Sequence, residues 1–193
     1  MFQVRIHGRG GQGVVTAAEM LSLAAFREGR HAQAFPSFGS ERTGAPVMAF
    51  ARIDEREIRL REPIMTPDAV IVQDRTLLLQ VDVFQGLGDR AFVLINSSHT
   101  VAELGLNELA ARLPAGHLQL VPATQFAMAQ LGRPLPGAAM IAAFAALTRL
   151  ISLAAVQSAY RERFSGKVAE ANAEVARLAH EHVQARLEEG VHV

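Results

Sequence analysis

The chain has 193 residues, with nineteen lysines and arginines against nineteen aspartates and glutamates, and it has no cysteine. The balanced charge creates no field that would draw the protein to nucleic acid or to an anionic membrane. Without cysteine the chain forms no disulfide, offers no thiol nucleophile and holds no iron–sulfur cluster through thiolates, and its length suits one α/β domain spanning residues 1–193.

The hydrophobic pattern predicts strands that alternate with helices along the first two thirds of the chain. An alternating run predicts a strand over residues 2–7, and an apolar stripe predicts a helix over residues 11–28. Further strands are predicted at residues 31–35, 47–53, 57–60, 69–73, 91–96 and 118–121. Helices are predicted at residues 124–131, 137–152, 153–164 and 166–188. This order predicts a single Rossmann-like three-layer α/β domain with a mostly parallel sheet and a helical C-terminal third.

Residues 136–156 form the most apolar stretch of the sequence. Arg149 interrupts it, and its longest apolar run is shorter than the roughly 18–20 residues that span a bilayer. We therefore expect a buried helix here and no membrane partner. The N-terminal residues show no basic segment followed by a hydrophobic one, so we also expect no signal peptide and a cytoplasmic protein.

The turn between the first strand and the first helix is the most informative segment. Gly8, Gly10 and Gly13 fit the spacing G-x-G-x-x-G in the strand-to-helix context that gives this pattern physical meaning. Glycines let the backbone approach a ligand closely, and the N-terminus of the helix attracts an anion. We therefore expect the backbone amides of residues 10–13 to face a phosphate or a diphosphate. A purely structural turn is the alternative, since tight packing alone also selects glycine.

Classical nicotinamide dinucleotide binding is disfavoured. That motif needs an acidic residue about 20 positions after the glycines, at the end of the second strand, to hold the ribose. The first carboxylate after the predicted helix stop at Gly29 is Glu41, which follows Pro36 in a predicted loop. An independent dehydrogenase is therefore the weakest of the candidate functions.

No pattern of histidines predicts a metal site. His180 and His182 are two positions apart on a predicted helix, where side chains do not share a face. His7, at the end of the first strand, suits a packing role better than acid–base catalysis, because no nucleophile or carboxylate motif accompanies it. Arg9, within the glycine turn, either folds over a bound phosphate or projects into solvent.

Three segments together resemble one protein family over essentially the whole chain. They are the glycine turn at residues 5–13, the loop Pro-Ser-Phe-Gly-Ser-Glu-Arg-Thr-Gly-Ala-Pro at residues 36–46, and Arg-Phe-Ser-Gly-Lys-Val-Ala-Glu-Ala-Asn at residues 163–172. In their order, spacing and chain length they are similar to the gamma subunit of 2-oxoacid:acceptor (ferredoxin or flavodoxin) oxidoreductases. This family includes the pyruvate, 2-ketoisovalerate, 2-oxoglutarate and phenylglyoxylate oxidoreductases.

The resemblance implies a multi-subunit enzyme that oxidatively decarboxylates a 2-oxoacid on thiamine diphosphate, transfers the acyl group to coenzyme A and passes electrons through iron–sulfur clusters. The sequence has no Gly-Asp-Gly segment of the kind that holds magnesium diphosphate in thiamine enzymes, and no cysteine. Thiamine diphosphate, magnesium and the clusters are therefore expected in partner chains, namely thiamine-binding alpha and beta subunits and a ferredoxin-like iron–sulfur subunit. We expect this chain to be an auxiliary subunit without catalytic residues, which supports coenzyme A binding and assembly.

The candidate binding residues come from the glycine turn and from the loop at residues 36–46. They are Gly8, Arg9, Gly10, Gly11, Gln12, Gly13, Ser40, Glu41, Arg42 and Thr43. Glu41 and Arg42 either form a local ion pair or, as the resemblance favours, reach toward the active site of a neighbouring subunit. Two phenylalanines, Phe35 and Phe38, predict that the segment from Phe35 to Pro46 is buried at a subunit interface near the active site. A stand-alone nucleotide-binding regulatory module is the alternative function.

Overall fold

The computed structural model describes residues 1–37 and 43–190, which form a six-stranded sheet with helices packed on it. The strands are β1 (Phe2–Arg9), β2 (His31–Pro36), β3 (Pro46–Asp54), β4 (Ala69–Val72), β5 (Phe92–Asn96) and β6 (Leu118–Val121). The helices are α1 (Val14–Arg27), α2 (Asn107–Arg112), α3 (Ala123–Leu131), α4 (Gly137–Thr148), α5 (Leu153–Arg163) and α6 (Gly166–Glu188), with a 3₁₀ helix at Arg75–Leu79. The predicted α/β fold with a helical C-terminal third is confirmed.

The sheet has the strand order β2-β3-β1-β4-β5-β6. Strands β1, β4, β5 and β6 are parallel, whereas β3 runs antiparallel to both β1 and β2. The chain leaves β1 through α1 toward one side of the sheet and later returns to β4 on the other side. The strand order therefore reverses between β1 and β4, and in open α/β sheets the crevice at such a switch point binds ligands.

A thick layer of helices covers one face of the sheet. Helices α1, α4, α5 and α6 pack over side chains such as Ile6, Ala51 and Ile71. Helix α4 is buried on nearly every side, because its sequence up to Leu147 is apolar all round. It corresponds to the apolar stretch that we expected to be a buried helix. Among the described residues, no helix is both long and apolar enough to cross a membrane.

The opposite face of the sheet carries a thinner layer of turns, the 3₁₀ helix and α2. Side chains of β4 and β5, including Val72 and Ile95, pack there against Leu77, Val83 and Leu113. The three layers are thus unequal, with most of the helical mass on one side.

The predicted strand at residues 57–60 is wrong. These residues are largely exposed and belong to no strand, and the carbonyl oxygens of Leu60 and Glu62 accept hydrogen bonds from the Arg52 guanidinium at 3.3 and 2.6 Å. Strand β3 pairs with β1 on one edge and with β2 on the other. Residues 57–60 alternate as a strand does, but both edges of β3 are already occupied.

Two helix boundaries differ from the prediction for local reasons. Helix α1 begins at Val14 rather than at residue 11, because Gly11 and Gly13 have left-handed φ angles of 93° and 72°. Helix α4 ends at Thr148 rather than at residue 152, because Arg149 has a φ of 54°. The 3₁₀ helix and α2 are absent from the sequence prediction, since five and six residues carry too little periodicity to be recognised.

Candidate functional site

A cleft of about 760 Å³ opens at the carboxyl ends of the parallel strands, at the switch point between β1 and β4. Every parallel strand contributes a segment to it. These segments are residues 10–12 after β1, 73–76 after β4, 96–98 at the end of β5 and 122–125 after β6. The cleft therefore occupies the position at which folds of this kind bind ligands.

The glycines of the motif are required for different structural reasons. Gly8 is buried beneath α1, where an added Cβ would lie 2.5 Å from Cγ2 of Val14 and 3.3 Å from Cβ of Gln73. Gly13 caps α1 in a left-handed conformation, and no side chain among the described residues forms a capping hydrogen bond there. The turn thus combines tight packing at Gly8 with a helix N-terminus at Gly13 that has no side-chain cap within residues 1–37 and 43–190.

The backbone N–H groups of the turn divide into occupied and free donors. Gly10 and Gln12 donate to carbonyl oxygens of the neighbouring backbone at 2.9 and 3.0 Å, so only part of the predicted 10–13 set is free. Gly11, Gly13 and the first three residues of α1 have no acceptor in the part of the chain that the structure describes. The first turn of α1 carries no acidic side chain. These free donors and the positive end of the helix dipole form a site for an anion.

The Arg9 side chain is held by the protein, rather than folding over the cleft or projecting freely into solvent. Its guanidinium donates to four acceptors, which are a carboxylate oxygen of Asp74 (3.1 Å), Oγ1 of Thr76 (2.6 Å), Oε1 of Gln80 (3.0 Å) and the carbonyl oxygen of Gly44 (3.0 Å). These bonds connect the glycine turn to the 3₁₀ helix and to the segment before β3. Arg9 therefore fixes the shape of the turn.

Asp74 is the central acceptor of this network. One carboxylate oxygen accepts from Arg9 and from Nε2 of Gln12, the latter at 2.8 Å, and the other accepts from the amide and hydroxyl of Thr76. Burial alone would raise the pKa of the Asp74 carboxyl, but the bonds from Thr76 and Gln12 and the charge of Arg9 outweigh it and hold the pKa below its usual range. The charge of Asp74 is thus neutralised inside the protein.

Polar side chains join the ends of β4, β5 and β6 at the back of the cleft. The Asn96 carboxamide donates to the Gln73 carbonyl at 2.8 Å and to the Thr124 hydroxyl at 2.7 Å, and it accepts from the Thr124 amide at 3.1 Å. The Gln73 side chain is 1% exposed, and neither atom of its carboxamide has a partner among the described residues. Gln73, Asn96 and Thr124 are not among the site residues predicted from the sequence. The sequence feature that could have identified them is a polar residue at or soon after the end of an apolar strand.

Two arginines give the cleft an excess of positive charge. Arg75 begins the 3₁₀ helix and Arg133 follows α3, and both are exposed at the cleft. Neither forms an ion pair within residues 1–37 and 43–190. Asp74 is the acidic residue of the cleft lining, and Arg9 already neutralises it. The cleft therefore favours a ligand that carries phosphate groups.

The predicted site residues fall into three groups. The cleft is lined by Gly10, Gly11, Gln12 and Thr43, with a backbone bridge between Gly10 and Thr43. Beside it, on the surface around the N-terminus of α1, lie Arg9 and Gly13, with Gly8 buried beneath the turn. Outside the described residues lie Ser40, Glu41 and Arg42, whose contribution to the site stays a prediction.

Phe35, which we expected to be buried by a partner, is packed within the chain. Its ring centroid is 5.1 Å from that of Phe50, and the Arg52 guanidinium lies 5.2 Å from it on the ring face. Phe38 lies outside the described residues. The expected interface at residues 35–46 therefore stays a prediction, and the contacts of Phe35 within the chain do not support it.

His7 lies away from the cleft, on the face of the sheet that the thin layer covers. Its Nε2 accepts a hydrogen bond of 3.1 Å from Nε of Arg5. Burial, and then the charge of Arg5, lowers the pKa of His7 to about 3. A histidine that is neutral at physiological pH fits the packing role predicted from the sequence. The described ranges contain no group of three or more potential metal-ligating side chains.

Comparison with known proteins gives consistent matches over nearly the whole chain. Residues 3–182 match the family described as pyruvate ferredoxin/flavodoxin oxidoreductase. The common gamma subunit of the pyruvate/ketoisovalerate oxidoreductases of Thermococcus kodakarensis is 48% identical, over 93% of this chain and 95% of that protein. Pyruvate synthase subunit PorC of Methanothermobacter thermautotrophicus is 44% identical, over 95% of this chain and 97% of that protein.

Two solved structures share the fold. The pyruvate oxidoreductase subunit PORC of Thermotoga maritima superposes with a TM-score of 0.78 at 32% identity, covering 93% of this chain and 95% of that one. The 2-oxoglutarate:ferredoxin oxidoreductase of Magnetococcus marinus superposes with a TM-score of 0.72 at 16% identity. That match covers 95% of this chain but 31% of the larger protein, so it establishes likeness of fold alone.

Proposed function

The chain belongs to the pyruvate ferredoxin/flavodoxin oxidoreductase family as a gamma-type subunit, and on this premise we propose that it supports coenzyme A binding in a multi-subunit, thiamine diphosphate-dependent 2-oxoacid oxidoreductase. The assembled enzyme oxidatively decarboxylates a 2-oxoacid and transfers its acyl group to coenzyme A. This chain contributes a binding surface and takes part in assembly.

The proposal rests on the N-terminus of α1, whose first N–H groups have no acceptor among the described residues. Coenzyme A bears a diphosphate and a further phosphate on its ribose, and free backbone N–H groups at a helix N-terminus bind such groups. In the described part of the chain, the N–H groups of Gly11, in the cleft lining, and of Gly13, beside the cleft, have no acceptor. Arg75 and Arg133 add positive charge along the cleft. The oxidoreductase of Magnetococcus marinus, part of which shares this fold, was solved with coenzyme A and succinyl-CoA bound, so coenzyme A is the ligand to test first.

The reacting atoms belong to partner chains in this proposal. Thiamine-binding alpha and beta subunits would hold thiamine diphosphate and magnesium, because this sequence has no Gly-Asp-Gly segment. A ferredoxin-like subunit would hold the iron–sulfur clusters, because this chain offers no thiolate. By binding the phosphate end of coenzyme A, this chain orients the thiol arm toward the neighbouring subunit, which lowers the entropy cost of acyl transfer.

A stand-alone nucleotide-binding regulatory module is the second candidate. The same anion site favours it, since a free helix N-terminus accepts a diphosphate whatever the rest of the ligand is. The two candidates differ in assembly, because a regulatory module needs no thiamine-binding or iron–sulfur chains.

Native affinity purification of the tagged chain from its own cells separates the two functions. We expect thiamine-binding and iron–sulfur chains to accompany it, and we expect the purified chain alone to show only background turnover with a 2-oxoacid, coenzyme A, thiamine diphosphate and an artificial acceptor. Recovery of a nucleotide-binding monomer without partners supports the module instead. Steady turnover by the chain alone contradicts an auxiliary role.

A further inference from the structure

The N-terminus of α4 is a buried helix end without a side-chain cap. Its cap position is Pro136, which forms no side-chain hydrogen bond, and its first residues, Gly-Ala-Ala at 137–139, have no polar side chain. All three are buried, and their backbone N–H groups have no acceptor within residues 1–37 and 43–190. An exposed helix end donates to water, whereas a buried one needs a partner from the protein or from a ligand.

The Gln73 carboxamide lies beside this helix end. A Cβ added at Gly137 would lie 3.8 Å from Nε2 of Gln73 and 3.3 Å from the Tyr160 hydroxyl. The Gln73 side chain is 1% exposed, its Cβ packs against Gly8, and its backbone amide donates to the His7 carbonyl at 2.7 Å. Neither Nε2 nor Oε1 has a partner among the described residues. A buried and unpartnered carboxamide is therefore fixed next to the unpartnered N–H groups of α4.

This concentration of unpartnered polar groups indicates a ligand site. Buried amide groups are almost always hydrogen-bonded in folded proteins, so each exception needs an explanation. Here three N–H groups and one carboxamide meet at one place in the described structure. Donors predominate among them, and the positive end of the α4 dipole adds to their effect. The group that completes the site is therefore an acceptor with negative charge.

The site borders the cleft. Gln73 belongs to the cleft lining, and so do Arg133, Pro134 and Leu135, which connect α3 to α4. Arg133 is exposed and forms no ion pair in the part of the chain that the structure describes. An anionic group that approaches α4 from the cleft therefore also meets the positive charge of Arg133.

The first turns of α1 and α4 pack against each other. A Cβ added at Gly137 would lie 3.6 Å from Cβ of Ala17, the fourth residue of α1. Two helix N-termini with unpartnered backbone donors thus lie side by side at the cleft, as far as the described ranges show. A ligand with two neighbouring anionic groups can engage both of them at once.

We propose that Gln73 and the N-terminus of α4 bind the ribose phosphate of coenzyme A, while the N-terminus of α1 binds its diphosphate. Coenzyme A carries these two anionic groups on one ribose, and its pantetheine arm is uncharged. With the diphosphate at α1, the ribose phosphate is the remaining group with the charge that the α4 site selects. Nε2 of Gln73 donates to one of its oxygens. This proposal rests on the coenzyme A site of the proposed function and makes this chain a determinant of specificity.

Dephospho-coenzyme A, which lacks only the ribose phosphate, tests the assignment. In the assembled wild-type enzyme, we expect its KM to be roughly tenfold higher than the KM for coenzyme A, because charge-assisted hydrogen bonds are lost. Gln73→Met replaces the carboxamide by an apolar group of similar length. It should raise the KM for coenzyme A severalfold and leave the KM for dephospho-coenzyme A unchanged. Equal KM values for the two ligands in wild type, equal increases in the variant, or no increase overturns the proposal.

Two further variants separate a local effect from a general one. Gly137→Ala fills the space between the Tyr160 hydroxyl and Gln73, and we expect it also to raise the KM for coenzyme A alone. Gln119→Met is the matched control, because Gln119 is a fully buried glutamine of β6 outside the cleft lining, with Nε2 donating to the Gly116 carbonyl at 3.0 Å. It should bind both ligands as wild type does. A selective increase in the control as well overturns the assignment to Gln73.

The stability of the full chain without ligand separates a ligand site from a purely structural one. If the Gln73 carboxamide has no partner until a ligand binds, Gln73→Met removes only an unpartnered polar group. We therefore expect the melting temperature of the variant to equal or exceed that of wild type. A lower melting temperature would show that an ordered water already satisfies the carboxamide, and it overturns the ligand assignment.

Failure of this proposal is distinguishable from failure of the proposed function. Gly11→Val obstructs the N-terminus of α1, whereas Gln73→Met and Gly137→Ala alter only the site at α4. If Gly11→Val alone raises the KM for coenzyme A, the α1 site stands and the α4 site is refuted. If none of the three variants changes that KM, the proposed function fails together with this proposal.

Discussion

Arg9 and Asp74, 65 positions apart in the chain, form an ion pair of 3.1 Å that joins the glycine turn after β1 to the 3₁₀ helix after β4. Both side chains are partly buried, and Gln12 and Thr76 donate to the same carboxylate. The pair therefore links the two strands that flank the switch point and holds the turn in shape. Arg9 is thereby engaged within the chain, and its predicted contact with a bound phosphate stays a prediction.

The Asp74 carboxylate should stabilise the fold measurably. We expect Asp74→Asn to lower the free energy of unfolding by about 1–2 kcal/mol, since charge-assisted hydrogen bonds in a partly buried network are lost. Urea unfolding of the full chain measures this. Asp89→Asn is the matched control, because Asp89 is exposed and pairs with Arg112 at 3.4 Å, and it should cost less than about 0.5 kcal/mol. Equal costs for the two variants would show that the network does not stabilise the turn.

The lowered pKa of the Asp74 carboxyl predicts that the free energy of unfolding decreases in acid. Its pKa is lowered in the folded state, so the contribution of Asp74 is fully present above the pKa of an unfolded aspartate and is lost as pH falls through the folded value. The difference in stability between wild type and Asp74→Asn should therefore shrink in acid. A difference that stays constant down to pH 3 would contradict this assignment.

His7 predicts a second effect of pH on the free energy of unfolding, because it is a buried neutral base. Its pKa is about 3 in the folded chain, so below the unfolded value near 6.5 only the unfolded state takes up the proton. Between pH 7.5 and 5.5, this linkage should remove about 1.4 kcal/mol of unfolding free energy. His7→Gln should lose this component, whereas the exposed His31→Gln should retain it. Identical pH profiles for wild type and His7→Gln would refute the buried neutral state.

Much of the fold can be predicted from local patterns. The alternating residues before Gly8 predict β1, and the apolar run of α4 predicts a buried helix. In each case the hydrophobic pattern lies entirely within the segment itself. The error at residues 57–60 has a non-local cause, since a strand needs a free edge and β2 already occupies the outer edge of β3. No pattern within these four residues reports on that edge.

The site is less predictable than the fold for the same reason. The glycine turn is a local motif, but Gln73, Asn96 and Thr124 follow three different strands, and the parallel sheet brings them together. Their chemistry is visible in the sequence as polar residues near the ends of apolar strands, whereas their proximity is not. The engagement of Arg9 by Asp74 is likewise a contact between distant segments.

Arg42 tests the loop that follows β2, although it lies outside the described residues. We expect Arg42→Ala to leave this subunit folded, as judged by circular dichroism, while weakening assembly or turnover of the complex, since a guanidinium pairs with phosphate or carboxylate in a planar fork. Arg59→Ala is the matched control, because Arg59 is exposed and pairs with its neighbour Glu57. If both variants assemble and turn over as wild type does, the loop has no functional role.

The central claim, that the glycine turn serves coenzyme A in the assembled enzyme, is tested most directly by comparing two KM values. Gly11→Val covers a free N–H group at the cleft, and Gly29→Val is the control, because Gly29 also has a positive φ, of 78°, but lies in open space after α1. In the assembled enzyme, we expect Gly11→Val to raise the KM for coenzyme A roughly tenfold, equivalent to about 1.4 kcal/mol of binding. The KM for the 2-oxoacid should stay unchanged, and Gly29→Val should change neither. Equal increases in both KM values for Gly11→Val would contradict the account and leave the turn with a structural role alone.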